Sequence, residues 1–561
     1  MVTAVDPLAP EGPPSRNRFV PGWRLPAVAA TAVALATLIP FAALLVLATG
    51  DAAGVWPHLV ANVIPRATVE TVLLIGGVGL FAAAVGVTSA WLVSRYRFFG
   101  RGFLHWALVM PLAVPTYLSA YCFVELLDYA GPVQRALRAV GGFASPGEYW
   151  FPDVRSLPGA VLVMTAVLYP YVYLTCRLVF EMQGTAVIDT SRVLGVGGWP
   201  LFRRVALPLA RPAVAAGATL AMLEALNDIG AVEMLGVRTL TFSVFDTWLN
   251  RSSLAGAAQI ACVMLVFVAV LTALERRARG DRRYAPKGSA GRGQSLAPLA
   301  GWRSGLAFVA CALPPAVGFA APVGLMLRQA WKRPHQLADP ALQAAALDSL
   351  AVSFAAALAA VIAALAILAA QRRRPPGWLA LACRLSTLGY AVPGSVLAIG
   401  ALFAFTRFDN ALDAFMRAQF GFSTGLLVSG TAAIVVYGLT VRFLAVAHGA
   451  IESGYSRLSE HVAMAARTLG RSEAHTLFSV ELPILARAIA TAGLFVFVDT
   501  VKELSATVLL RPFNFSTLAI FVYEKASRGL FEEATVAALA IVAIGVVPVF
   551  LLSRIQRTGR R

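Results

Sequence analysis

The chain has 561 residues, of which 58% are hydrophobic and only 14% charged, a balance that excludes a soluble globular protein of this length. A net charge of +18 would suit a nucleic-acid partner, yet the basic residues cluster beside apolar runs and no basic, aromatic-interleaved domain lies outside them, so no nucleic acid is expected. The composition fits an all-α polytopic membrane protein. The five cysteines (Cys122, Cys176, Cys262, Cys311, Cys383) all lie inside apolar runs, and the six histidines are scattered, so neither a disulfide framework nor a metal site is expected.

In chain order, a Pro-rich tail with Arg16, Arg18 and Arg24 precedes a first apolar run, Pro26 to Ala48. That run is long enough for about 30 Å of hydrocarbon and has no clear cleavage site, so it reads as a retained first span. Further spans are expected near Thr68 to Val93, Phe103 to Leu127, Pro158 to Phe180, Pro212 to Asp228 and Ala257 to Leu274. The stretch Glu275 to Arg303, a Gly, Ser, Pro and Arg mixture, reads as a flexible linker joining two separately inserted bundles. Six more spans follow near Gly305 to Leu327, Leu350 to Ala370, Leu381 to Phe405, Leu426 to Ala447, Ala488 to Glu503 and Ala534 to Leu552. The expected domains are a cytoplasmic tail (1–25), a first transmembrane half (26–274), the linker (275–303), a second half (304–553) and a basic cytoplasmic C-terminus (554–561). Most of the 47 Lys and Arg residues fall in segments that this arrangement puts inside, so both termini are expected in the cytoplasm. Six spans per half return the chain to one side, which makes the halves parallel repeats, about twelve transmembrane helices in all.

The polar stretch from Asp189 to Pro208 interrupts two apolar runs and recurs from Met464 to Pro483 at an offset of 275 residues without insertion. Arg192 answers Arg467, Leu194 answers Leu469, Gly195 answers Gly470, Leu207 answers Leu482 and Pro208 answers Pro483. Each copy reads as a helix, a turn and a second helix, with Gly195 and Gly470 in the left-handed position that closes the first helix. Pro200 suits a first helical turn, Ser472 can cap, and Pro208 and Pro483 are expected to stop the elbow short of the next span. Amphipathic helices lying on the membrane surface are the plainer alternative.

These elbows resemble the EAA loop of type I ATP-binding cassette (ABC) importer permeases, whose coupling helix docks onto an ATPase subunit. The family's leading glutamate stands as Asp189 in the first copy and Met464 in the second, and its two alanines as Ala465 and Ala466. The resemblance implies the type I transmembrane fold, two ABC ATPase subunits, a periplasmic solute-binding protein and residence in a bacterial inner membrane. No GxxxxGK[ST], HExxH or GxSxG in a strand-helix context occurs, so no enzyme activity, catalytic residue or cofactor is expected in this chain.

Each elbow is followed at the same interval by charged residues: Glu224 and Asp228 in the first half, Asp499, Lys502 and Glu503 in the second. The i, i+4 spacing puts each carboxylate pair on one helix face. Charge inside a membrane costs roughly 2.5–3.5 kcal/mol per group at the centre, so these residues either line an inter-half path or cap helix ends at its boundary. The prolines after Val114 and Val392 answer one another and free backbone carbonyls that must face protein or water, or else serve packing alone. The second charged stretch, continuing Leu509, Leu510, Arg511, Pro512 and Phe513, resembles the ferric iron branch of the family, in which both halves are fused. That resemblance implies ferric iron as cargo, with thiamine or polyamines as alternatives. An ion-coupled secondary transporter, with the carboxylates as its coupling site, is the rival from another class.

Overall fold

The structure is a computed structural model, describing residues 24–558 apart from 51, 53, 184–189, 192, 280–295, 373–374, 388, 457, 459–461, 463–464 and 467. The first half comprises α1 (Arg24–Ala48), α2 (Ile64–Arg95), α3 (Arg101–Ala107), α4 (Thr116–Leu127), α5 (Leu157–Met182), α6 (Leu207–Asn227), α7 (Ile229–Met234), α8 (Leu240–Leu249) and α9 (Leu254–Arg279). The second comprises α10 (Trp302–Pro315), α11 (Ala321–Lys332), α12 (Pro340–Gln371), α13 (Gly377–Ser386), α14 (Gly394–Phe420), α15 (Ala432–Tyr455), α16 (Leu482–Val501), α17 (Thr507–Leu510), α18 (Leu518–Ser527) and α19 (Thr535–Thr558). Among the described residues eleven helices are long and apolar enough to cross a membrane, and twelve when one pair bent by 96° counts as a single span. The molecule is therefore the all-α, two-times-six polytopic protein that the composition indicates.

The bent pair is the third span. The sequence places a proline interruption within the span Phe103 to Leu127, and the chain breaks there at Val114 and Pro115, both extended, before α4 begins. Pro393 takes the same extended conformation ahead of α14. A proline has no N–H to give the preceding turn and pushes the residue before it out of helical geometry, so the helix restarts after it.

Pro208 and Pro483 behave differently, and here the expectation of a stop is corrected. Each lies at the start of a helix that continues the elbow through a π-helical turn, Phe202–Ala206 before Leu207 and Leu477–Glu481 before Leu482. Similar turns, Leu59–Val63 and Ala316–Ala320, precede Pro65 and Pro322. The wider π register tolerates the missing N–H and the ring's clash with an earlier carbonyl. The fifth spans therefore start inside the elbows rather than at Pro212 and Ala488, and the first runs unbroken from Gly198 to Asn227.

The halves do not pack as separate bundles. Helix α1 lies against α14, α13 and α12 of the second half, while α10 and α11 lie against α2, α3 and α4 of the first. Prolines within helices make both contacts specific. Pro40 cannot donate to Ala36 O, and the Tyr437 hydroxyl of α15 takes up that carbonyl. One turn on, Gly400 of α14 meets the Pro40 carbonyl so closely that a Cβ would overlap it, and Thr37 Oγ1 donates to Ser386 Oγ at 2.7 Å. On the other side Pro170 frees Ala166 O, and Gly318 covers it with no room for a Cβ.

The expected flexible linker is also shorter than Glu275 to Arg303. Helix α9 continues to Arg279, and beyond residues 280–295, which lie outside the described set, β2 (Ala297–Pro298) pairs in parallel with β1 (Tyr96–Arg97). Leu299 N donates to Arg97 O at 2.9 Å. Because exchanged helices and this clasp join the halves, a chain cut between Gly288 and Gly293 and expressed as two pieces together should keep uptake within about twofold of the intact protein. Either piece expressed alone should be lost, since its first helix lacks the surface it packs on. Survival of one piece alone, measured by its amount in membranes, would contradict the exchange.

Candidate functional site

The elbows supply one set of expected residues. Gly195 (φ +74°) and Gly470 (φ +73°) both take the left-handed conformation. Val196 N bonds Ser191 O at 2.8 Å and Arg471 N bonds Ala466 O at 3.1 Å, the same six-to-one closure in both copies. Ser472 Oγ accepts from His475 N at 3.2 Å, capping the second helix as its residue type indicates. Leu194 (75%) and Leu469 (79%) project into solvent, Ala465 is exposed, Ala466 is buried, and at the base Leu207, Pro208 and Leu482 are partly covered while Pro483 is exposed. Asp189, Arg192, Met464 and Arg467 lie outside the described residues.

The elbows are anchored by different chemistry. In the first, Gln183 Nε2 donates to Ala206 O at 3.1 Å and Phe202 packs between Trp199 and Trp91, with ring centroids 5.2 Å apart on each side. In the second, Glu481 pairs with Arg372 at 3.0 Å and accepts from the Tyr455 hydroxyl at 3.1 Å, while the Arg372 guanidinium lies 4.5 Å over the Tyr455 ring. An exposed, apolar tip on an anchored base is a surface suited to docking.

The second set converges where the fifth and third spans break. Helix α6 ends at Asn227, and Asp228, extended, accepts from Ala231 N at 2.8 Å to start α7. In the other half Glu503 accepts from Ala506 N at 3.0 Å just before α17. Asp228 and Glu503 thus cap helices, one of the two alternatives the sequence left open, and both also face a cavity. Glu224, Asp228, Lys502 and Glu503 all line one cavity of about 90 Å³, closed on one wall by Val114, Pro115 and Thr116 of the third-span break. It has room for a few water molecules.

Each carboxylate has its own partner. Glu224 accepts from the Tyr390 hydroxyl at 2.5 Å, Asp228 from the Thr116 hydroxyl, and Asp499 pairs with Lys502 at 2.8 Å. Glu503 lies 3.3 Å from the guanidinium of Arg442. Two further bonds cross between the halves: Ser505 Oγ, on the cavity wall, donates to Asn227 O at 2.8 Å, and Tyr523 donates to Glu233 at 2.8 Å. Sequence reading missed Arg442 and Tyr390. The one signal for Arg442 was an isolated charge in the middle of an otherwise apolar span, the fourth of the second half, which by default marks a functional position.

Residues 76–280 match the family described as binding-protein-dependent transport system inner membrane component, a segment that holds the first elbow, Glu224 and Asp228. Over 497 residues the chain is 25% identical to the Fe(3+)-transport system permease protein FbpB 2 of Haemophilus influenzae, covering 86% of this chain and 89% of that protein. Shorter similarities reach the sulfate transport system permease protein CysW of Escherichia coli (30% identical, 33% of this chain and 62% of that one). The molybdenum transport system permease protein ModB of the same species is 26% identical over 35% of this chain and 84% of its own. The eleven or twelve candidate spans among the described residues, the repeated elbow and these similarities together support an ABC importer permease subunit of the type I transmembrane fold, resembling the ferric iron permeases.

Proposed function

We propose that the chain forms the translocation path for ferric iron delivered by a periplasmic solute-binding protein, and that two separate ABC ATPase subunits, one at each elbow, supply the energy. In this reading the elbows and both termini face the cytoplasm. The observation that carries the substrate assignment is the meeting of Glu224, Asp228 and Glu503 from both halves around one cavity, with Asp499 behind it paired to Lys502, against two cationic side chains, Lys502 and Arg442. Ferric iron is a hard cation that favours oxygen ligands, so a carboxylate-lined constriction lowers its barrier. Because each carboxylate is held by a different partner, the path attracts a cation without gathering all four around it. The length of the similarity to the Haemophilus influenzae protein supports the same choice.

Lys502, Arg442 and the sulfate and molybdenum relatives favour an oxyanion as the second reading. The test is uptake of labelled iron, molybdate and sulfate by cells lacking their other importers for each. Wild type should carry iron, and the triple variant Glu224→Gln, Asp228→Asn, Glu503→Gln should lose it by at least about tenfold, as expected when a transported cation loses its counter-charges. Carriage of an oxyanion without iron would replace the substrate; undiminished iron uptake by the triple variant would remove these carboxylates from the path.

A further inference from the structure

The two halves build the same capping carboxylate with opposite electrostatic company. In the first half the residue after the Val–Pro break is Thr116, whose hydroxyl donates to Asp228. In the second half that residue is Gly394, and the space a side chain would take is filled by the Arg442 guanidinium, since a Cβ at Gly394 would overlap Arg442 Nη1. Arg442 stands eleven residues beyond the helix cap Thr431; eleven residues beyond the matching cap Ser156 stands Val167, which faces the same cavity. A neutral hydroxyl and an aliphatic side chain therefore attend Asp228, while a full positive charge attends Glu503.

Arg442 is 5% exposed, Glu503 9%. Nε approaches Glu503 Oε2 at 3.3 Å without hydrogen-bond alignment, and Nη1 finds no partner among the described residues although Arg442 lines the cavity. A guanidinium kept for packing or rigidity would be fully bonded, because buried donors left unpaired are destabilising. Here Nη1 stays buried against Gly394 without a partner among the described residues, so what the guanidinium supplies beside Glu503 is its charge.

We propose that Arg442 sets the charge selectivity of the path: it neutralises Glu503, confines uncompensated negative charge to the Glu224 and Asp228 wall, and so keeps ordinary monovalent cations from crossing. The idea rests on the cavity being the path but not on iron being the cargo. Arg442 acts through Glu503, as a positioning residue for charge. A fixed arginine at a narrow polar constriction is a known physical means of excluding small cations.

The test uses the full chain reconstituted in liposomes without ATP or binding protein, reading passive potassium and chloride permeability. Arg442→Gln should raise potassium permeability about tenfold with potassium favoured over chloride, and Arg442→Lys should stay near wild type. Glu503→Gln, which leaves the guanidinium uncompensated, should shift selectivity the other way, toward chloride. The double variant Arg442→Gln, Glu503→Gln should return to within about twofold of wild type. This reversal of sign is something a packing defect does not produce. Unchanged permeability, or a shift in the same direction for both single variants, overturns the proposal. If Arg442→Gln fails to insert, Glu503→Gln and the double variant decide: no chloride shift in the former, or a leak in the latter, overturns it. Absence of iron transport by wild type would strike the substrate reading alone.

Discussion

Replacing Gly470 with valine is expected to lower binding-protein-dependent uptake about tenfold while the variant stays in the membrane at wild-type amount. At φ +73° an L side chain is strained by roughly 1–2 kcal/mol, and a β-branched one lies at the upper end. A Cβ at either Gly470 or Gly195 meets nothing within 4 Å, so backbone strain is the main penalty. About 1.4 kcal/mol against the docked shape of the elbow corresponds to a tenfold loss of productive coupling. Gly195→Val should behave similarly, and alanine at either site should cost less. The readout is ATPase turnover stimulated by the binding protein together with uptake in proteoliposomes. Normal values for both valine variants would mean that the elbows need not close through a left-handed residue to work.

The largest effect on assembly is expected at Gly400. A valine there would press into the Pro40 carbonyl of α1, which has no freedom to move away because Tyr437 holds the preceding turn at Ala36 O. Overpacking of this kind costs about 3 kcal/mol. The variant should show a clearly lowered thermal unfolding midpoint in detergent and reduced monodisperse yield. Gly449 on α15 is the control, since nothing stands within 4 Å of its Cβ position, and Gly449→Ala should be neutral or slightly stabilising in its helix. If Gly400→Val melts with that control, the close approach of α1 to the second half is not what holds the halves together.

Why some of this was legible in the sequence and some was not follows from the range of the interactions involved. Gly195, Gly470, Ser472 and the capping carboxylates Asp228 and Glu503 each make a left-handed turn or a cap within five residues of themselves, so residue type and spacing pointed to them. The 275-residue offset exposed them because both halves solve the same local problem. Arg442 and Tyr390 find their partners far along the chain, 166 residues away for Tyr390 and Glu224, and Arg442 faces Val167 in the repeat, so a comparison of halves passes over it. The exchange of α1 was hidden for another reason. Its helix is apolar on every side, which says that it is buried in lipid or protein but not which bundle it joins. Pro208 and Pro483 misled because proline forbids one register of helix and not helix as such; the π turn is invisible to any rule that reads proline as a stop.

The continuous helix from Gly198 to Asn227 has a mechanical consequence. At 1.5 Å per residue its 30 residues form a rod of about 45 Å, with one end in the elbow and the other at the break that carries Asp228. Tilting such a rod by about 10° at the elbow would swing its far end through roughly 8 Å. Under the proposed coupling, motion delivered at the tip would reach the cavity as geometry, with leverage in place of a relay of side-chain contacts and the π turn at Phe202–Ala206 at the fulcrum.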